Sequence, residues 1–174
     1  MADPQHVEIV RQGANTISRW RENNSSTRLR LDLTNADLSN LDLSNVDLAN
    51  DDLRGVDLRG ADLKNARLSG ANLREAKLQG CNLERCNMSG VTLQGSTLVN
   101  AALKGVLLTG GDLSGSDVSS VDLSVADMSG SNLTDCDLTL SNLRQSDLTG
   151  STLINASLVG TNLDLANLSG SDLR

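Results

Sequence analysis

Large aromatic side chains are almost missing from this 174-residue chain, which has no Phe, no Tyr and a single Trp. A domain of ordinary architecture fills part of its core with rings that each bury a large area, so this core must be built from small, uniform units. No run of about 18 apolar residues exists to span a bilayer, and no basic stretch followed by an apolar one opens the chain as a secretory signal would. A cytoplasmic location is the expectation. Basic residues are also scarce, 15 against 22 acidic ones for a net charge of -7, and that balance disfavours direct binding to a nucleic acid backbone. At 38% apolar and 21% charged, the composition equally excludes a disordered polyelectrolyte.

What the chain has in abundance is repetition. From Leu33 to Leu173 every fifth residue is apolar, and of these 29 positions only Met88, Val118 and Met128 are not Leu. Two residues before each lies a smaller series: Ala36, Val46, Val56, Ala61, Ala66 and onward to Ser171. Asp or Asn usually stands between the two, and Gly or Asn often follows two after the Leu. Five helical residues advance 140° net and would spiral the Leu series around a helix, while an alternating strand would send every second Leu to the opposite face. Each unit must therefore contain a bend. If each bend turns the chain by about a right angle, four units close a square coil of 20 residues with every Leu pointing to its axis. Stacked at the strand spacing of about 4.8 Å, about seven coils make a rod of roughly 34 Å. The Gly positions support four distinct corners. One column holds Asn50 and then Gly70, Gly90, Gly110, Gly130, Gly150 and Gly170, whereas the column Asn45, Asn65, Arg85, Gly105, Val125, Gln145 and Leu165 has one Gly. Since φ > 0 suits Gly and Asn, different corners are expected to use different turns.

The unit A(D/N)LxG, as in Ala61-Asp62-Leu63-Lys64-Asn65 or Ala71-Asn72-Leu73-Arg74-Glu75, resembles that of the pentapeptide repeat family over residues 31–174. The resemblance implies an all-β solenoid, a right-handed quadrilateral β-helix, with Leu33, Leu53, Leu73, Leu93, Leu113, Leu133, Leu153 and Leu173 in its core. The segment Arg11-Gln12-Gly13 with Trp20-Arg21-Glu22-Asn23 and Leu31-Asp32-Leu33 resembles the N-terminal cap of many bacterial, especially cyanobacterial, members. Most such members have no assigned biochemical role.

Two domains are thus expected: a cap and linker over 1–30, and the β-helix over 31–174. Residues 4–22 read as one amphipathic helix, with Asp3 as N-cap and Pro4 at its first position. Val7, Ile9, Val10, Ala14, Ile17 and Trp20 form its apolar stripe, and Val10, Ile17 and Trp20 are the candidate docking residues. A solenoid needs such a cover over its bottom coil, where core and backbone would otherwise be open. Membrane binding is the rival reading of the stripe. Leu31, Leu41 and Val46, larger than the later Ala and Ser, would meet the cap. At the other end the chain stops at Leu173-Arg174 in mid-unit, so the top coil is expected either to fray or to be covered.

Catalysis is hard to place. The one His, His6, lies on the apolar side of the cap and reads as a packing residue. Cys81, Cys86 and Cys136 fall in the small inward series, where Cys acts as a compact apolar residue, and their spacing is the repeat period and no metal signature. They are expected to be reduced. The Gly residues recur at corners without the following helix that a phosphate loop needs. No catalytic residue, cofactor or metal is therefore expected, and the chain is read as no enzyme. Asp51 breaks the pattern by standing where Ala or Val should point inward. A lone buried carboxylate is costly, so it is expected to accept backbone N–H groups or to meet Arg28 or Arg30.

Charge is graded along the chain. Residues 31–53 carry six acids and no base, 54–104 carry eight bases and four acids, and 105–173 carry nine acids and one base. Some members of the family mimic duplex DNA and act on type II topoisomerases such as DNA gyrase, and that is the alternative function weighed. It needs acidic columns, yet Asp112, Asp117, Asp122 and Asp127 fall on four successive sides, and Arg54, Arg59, Lys64, Arg67 and Arg74 interrupt any stripe. Those members also tend to carry many Phe and a C-terminal dimer helix, absent here. The favoured function is a non-enzymatic scaffold or protein-interaction module. Outward positions turn apolar late in the chain, at Val125, Leu140, Ile154, Val159 and Leu165, so a homodimer through the C-terminal coils is expected, with Leu173 in the contact.

Overall fold

The structure is a computed structural model that describes residues 2–24 and 29–174. From Asp32 onward each residue preceding a central Leu pairs in parallel with the residue twenty positions on: Asp32 with Asp52, Asp37 with Asp57, Asp42 with Asp62, Asp47 with Arg67, and so on to Thr152 with Asp172. Four ladders offset by five residues make the coil twenty residues long and give it four walls. Each rung is one residue wide: Leu33 N–H donates to Asp52 O at 2.8 Å, and Asp52 N–H donates to Leu31 O at 3.0 Å. The chain is a solenoid.

Corners follow from three local features. The carbonyl of the central Leu accepts the N–H three residues on, as Leu33 O does from Ala36 N at 3.0 Å. The residue two after the Leu has positive φ at every corner from Asn35 to Gly170, and the residue one after it never does. Positive φ confined to the third residue is the mark of a type II turn. All four corners therefore use one turn, against the expectation that corners differ. Corners without Gly tolerate it because these side chains leave the rod: Glu75, Arg85, Val125, Leu140 and Leu165 all hold φ between 57° and 61°, at about 1–2 kcal/mol each that the ladders offset. The third feature, a side-chain bond, explains the Asp and Asn. Their Oδ1 accepts the N–H two residues on, as Asp42 does from Ser44 at 3.0 Å, and the same bond recurs around the rod from 2.9 Å at Thr139 to 3.3 Å at Arg74. A carboxylate or amide at this position closes the start of the turn, as in an Asx turn.

The core runs along the axis as one cluster. Leu33, Leu53, Leu73, Leu93, Leu113, Leu133 and Leu153 are buried, with the small series between them. Leu173 departs from the core assignment: it stands in the last described coil, and half of it is exposed. Where the small series changes to Ser, hydroxyls are satisfied by turn carbonyls at most positions, while that of Ser96 is buried with no partner. Ser116 Oγ donates to Leu113 O, Ser131 Oγ to Met128 O and Ser151 Oγ to Leu148 O, so the polar series lies inside without orphaned donors at these positions.

At the N-terminus the structure has two helices where one was expected, α1 over Pro4–Arg11 and α2 over Ala14–Asn23. Gly13 divides them. Its φ of 85° lies outside the helical region, and Gly adopts it without steric cost. Asp3 caps α1, its side chain accepting from Gln5 N–H at 2.8 Å. The break turns the stripe inward at two points: Val10 and Ile17 are fully buried, while Val7, Ile9, Ala14 and Trp20 pack half-buried on the same cluster. Leu31 and Val46 are buried beneath them and Leu41 is half-buried. No helix among the described residues is long and apolar enough to cross a membrane.

Leu103 is fully buried, while Leu107 on an adjoining wall is 43% exposed. Replacing Leu103 by Asp places an unpaired carboxylate between neighbouring coils and is expected to cost more than about 4 kcal/mol and to divide the melting transition. Leu107→Thr is expected to stay within about 0.5 kcal/mol of the parent. Thermal unfolding followed by calorimetry and circular dichroism checks both; equal melting of the Leu103→Asp protein would place that side chain outside.

Candidate functional site

The groups able to do chemistry stand in three places: the junction of cap and first coil, the interior, and the outer surface. The junction is polar at its rim. The bottom coil would leave unpaired backbone groups facing the cap, and side chains reach each of several. His6 Nδ1 accepts from Asp32 N–H at 3.0 Å, Asp3 N–H donates to Asp32 O at 3.2 Å, Arg11 donates to Asp37 O at 3.1 Å, and Arg21 donates to Asp47 O at 2.9 and 3.1 Å. His6 also meets Trp20 edge-on, ring centres 5.3 Å apart.

Asp51 lies beneath this rim with its side chain wholly buried. One oxygen accepts from Leu31 N–H at 2.8 Å and the other from Arg21 Nη2 at 2.5 Å. The backbone acceptor role was legible in the sequence, but the partner was not. Arg21 of α2 is the cation rather than Arg30, and Arg28 lies outside the described residues. Nothing in the pattern separates Arg21 from Arg11 or Arg19, because the break at Gly13 decides which arginine reaches the coil. Burial pushes the Asp51 carboxyl up to about 6, with Arg21 and the Leu31 N–H pulling the other way.

Inside, Cys81, Cys86 and Cys136 are free thiols. They donate to the carbonyls of Leu58, Leu63 and Leu113 at 2.6, 2.7 and 2.8 Å. Burial pushes Cys81 and Cys86 up to about 12 and raises Cys136. These are protonated donors shut off from solvent, the opposite of an activated nucleophile. Among the described residues no group of His, Cys, Asp or Glu side chains could hold a metal ion.

Outside, the charges separate by position in the unit, a partition that reading along the chain misses and that sorting by fives would have found. Wall positions carry fourteen acids and two bases, while corner positions from Thr34 onward carry eight bases and four acids. The turn bond is the cause: most walls supply an acceptor, and some cations at the following corner fold back on it. Arg54 pairs with Asp52 and Arg59 with Asp57, each at 2.6 Å. These arginines hold Asp52 and Asp57 below the usual carboxylate range, and the hydroxyls of Ser39 and Ser129 do so for Asp37 and Asp127. Of the residues expected in self-association, Leu140 is 67%, Val159 70% and Leu165 74% exposed. Leu173 is also exposed, Ile154 is half-buried, and Leu107 shows that outward apolar positions begin earlier than Val125.

The sequence model described as pentapeptide repeats matches the chain in eight copies, over residues 52–90, 86–124, 110–145 and 141–174. No curated protein sequence matches it. Among solved structures, HetL, a pentapeptide repeat protein involved in heterocyst differentiation regulation from the cyanobacterium Nostoc sp. strain PCC 7120, is 28% identical over 78% of this chain and 73% of its own, with a TM-score of 0.41. A pentapeptide repeat protein from the Arabidopsis thaliana thylakoid lumen is 32% identical over 56% of this chain and 65% of its own, with a TM-score of 0.42. A trypsin-treated form of QnrB1, a plasmid-mediated fluoroquinolone resistance protein, superposes at a TM-score of 0.55 with 18% identity, over 77% of this chain and 78% of its own. At that identity the likeness is one of fold.

Asp51 supplies a pH test. Its folded value of about 6 lies above the ordinary 3.8, so the folded chain holds this proton more tightly than the unfolded chain. The stabilisation from that proton is complete below about pH 4 and is lost as pH rises through 6, a change of about 3 kcal/mol. Asp51→Asn keeps an acceptor for Leu31 N–H and cannot ionise. Unfolding free energies measured from pH 4 to 7 are expected to shift by about that amount in favour of the Asn protein, while a flat difference would show an ordinary carboxyl. Asp51→Ala strands the Leu31 N–H and is expected to cost about 1–3 kcal/mol.

Proposed function

The chain belongs to the pentapeptide repeat family, and we propose that it works as a non-enzymatic scaffold, a rod whose walls and corners meet other proteins. In this reading the rod winds to the right in about seven coils. The observation that carries the proposal is the tethering of the surface charges. Wall carboxylates are fixed by backbone N–H groups, and several corner cations are fixed by those carboxylates. A partner meeting such a surface loses little of its binding energy to ordering side chains, which favours a docking platform. The thiols and the Asp51 carboxyl, by contrast, are enclosed and bonded within the fold.

The test is to place a photo-crosslinking residue at one position on each corner, such as Arg74, Arg59, Lys104 and Ser129, and irradiate cells making the protein. Adducts with protein concentrated on some corners are expected, and adducts at none would overturn the scaffold reading. A supercoiling assay with purified gyrase separates the topoisomerase alternative. No inhibition and no protection are expected at micromolar protein, and either effect would favour mimicry of DNA.

Self-association through the later coils forms part of the same proposal. Leu140, Val159 and Leu165 expose apolar surface within little more than one coil, with Ile154 and Leu173 nearby in sequence. Several exposed apolar groups so close together exceed the scatter usual on a monomer. Sedimentation equilibrium at micromolar concentration is expected to give twice the 18.3 kDa chain mass, reduced to the single mass by Leu140→Asn with Leu165→Asn. A parent protein that sediments as a monomer would remove the dimer.

A further inference from the structure

One corner differs from the other three. Of the eight corner cations, Lys64, Arg85, Lys104 and Arg144 stand on it, on a chain whose net charge is -7. Lys64 is engaged by Glu84, Nζ to Oε2 at 2.9 Å. Among the described residues Arg85 and Lys104 close no ion pair. Together with Glu84, Gly105 and Val125 they line a recess of about 360 Å³. The stem of Arg85 runs beside Gly105, its Cγ lying 3.9 Å from where a Cβ would stand. Val125 forms the far side, 56% exposed.

The backbone here has the conformation that every corner of the rod adopts, but with a β-branched residue at position 125. Arg85 and Val125 hold φ of 57° and 61°, a conformation that suits Gly or Asn and that a β-branched side chain adopts only under strain. On the next corner round, the equivalent column is Gly at every position after Asn50. Val125 therefore accepts strain while burying little of itself in the fold. Strain of this kind collects where a side chain is needed for contact outside the fold.

We propose that this recess docks an acidic peptide segment of a partner protein, one that lays an apolar side chain on Val125 and presents carboxylates to Arg85 and Lys104. The proposal rests on the scaffold reading and names one of its docking points. The guanidinium offers a planar fork to one carboxylate and the ammonium a point charge to the next. A peptide is favoured over a nucleic acid because the walls flanking the corner carry Asp62, Asp122 and Asp127, which a continuous phosphate chain would have to cross.

The probe is a fluorescein-labelled peptide with one Leu flanked on both sides by Glu, titrated by anisotropy. Saturable binding in the micromolar range is expected, weakened at least about tenfold by Arg85→Glu with Lys104→Glu. Val125→Gly is expected to weaken binding severalfold while leaving the melting temperature no lower than the parent's, since Gly suits the positive φ. A peptide with Ser for Leu is expected to lose the Val125 dependence, and Arg54→Glu with Arg74→Glu on another corner to leave binding unchanged. Absence of saturation up to millimolar protein would overturn the site, as would equal binding by the Arg85 and Lys104 reversal or tighter binding of a single-stranded oligonucleotide. Should the peptide fail while crosslinks still form on other corners, the docking site falls and the scaffold stands. Absence of crosslinks everywhere removes the scaffold itself.

Discussion

The rod depends on its corners, and at most of them a bond runs from the N–H of the residue after the central Leu to the Asp or Asn side chain before that Leu. It closes the start of the corner, and the turn bond from Leu O to the N–H three residues on completes it. Without a corner every five residues, the Leu series would have no common axis to point at. With it, each coil returns after twenty residues to lie over its own ladder partners, and backbone N–H and C=O groups find neighbours above and below. In this chain the tube is filled by four inward residues per coil, nearly all Leu, with a small residue beside each.

The same bond arranges the surface. Most wall positions supply an acceptor, so acids collect on the walls, and some cations in the next corner find a carboxylate two residues back. Arg54, Arg59 and Arg174 all fold onto theirs. Such exposed pairs contribute little stability, because solvent screens them. What they do is hold charge in place. Arg85 and Lys104 lack that partner, which is why their charges remain available on one corner.

The period of five, the inward Leu and the small series with its cysteines could be read directly, because each is a repeating demand made by the same environment. The two failures have local causes. One turn at all corners was hidden by residue choice: Glu75 and Leu140 take the conformation of Gly because the ladders above and below impose it, so tertiary structure overrides propensity. The divided cap was hidden because Gly13 within a helical pattern can be tolerated or can break it, and here docking against a flat coil end favours the break. Asp51 was legible as an anomaly and as an acceptor, but its partner depended on that break.

The cap shows what a one-dimensional fold requires at an end. In the interior a coil satisfies its neighbour through identical ladders, so each coil contributes alike. At the bottom there is no coil to supply partners, and the chain replaces a ladder with a set of unrelated groups: a ring nitrogen for Asp32 N–H, the Asp51 carboxylate for Leu31 N–H, guanidinium donors for the carbonyls of Asp37 and Asp47. Burying Asp51 is unfavourable for the ionised carboxylate, as its raised pKa records. An Ala there, as at Ala71 one coil on, would leave the N–H of Leu31 facing apolar packing. The irregular residue is thus the physical consequence of ending a regular array, and its removal is expected to be felt in stability rather than in any surface contact.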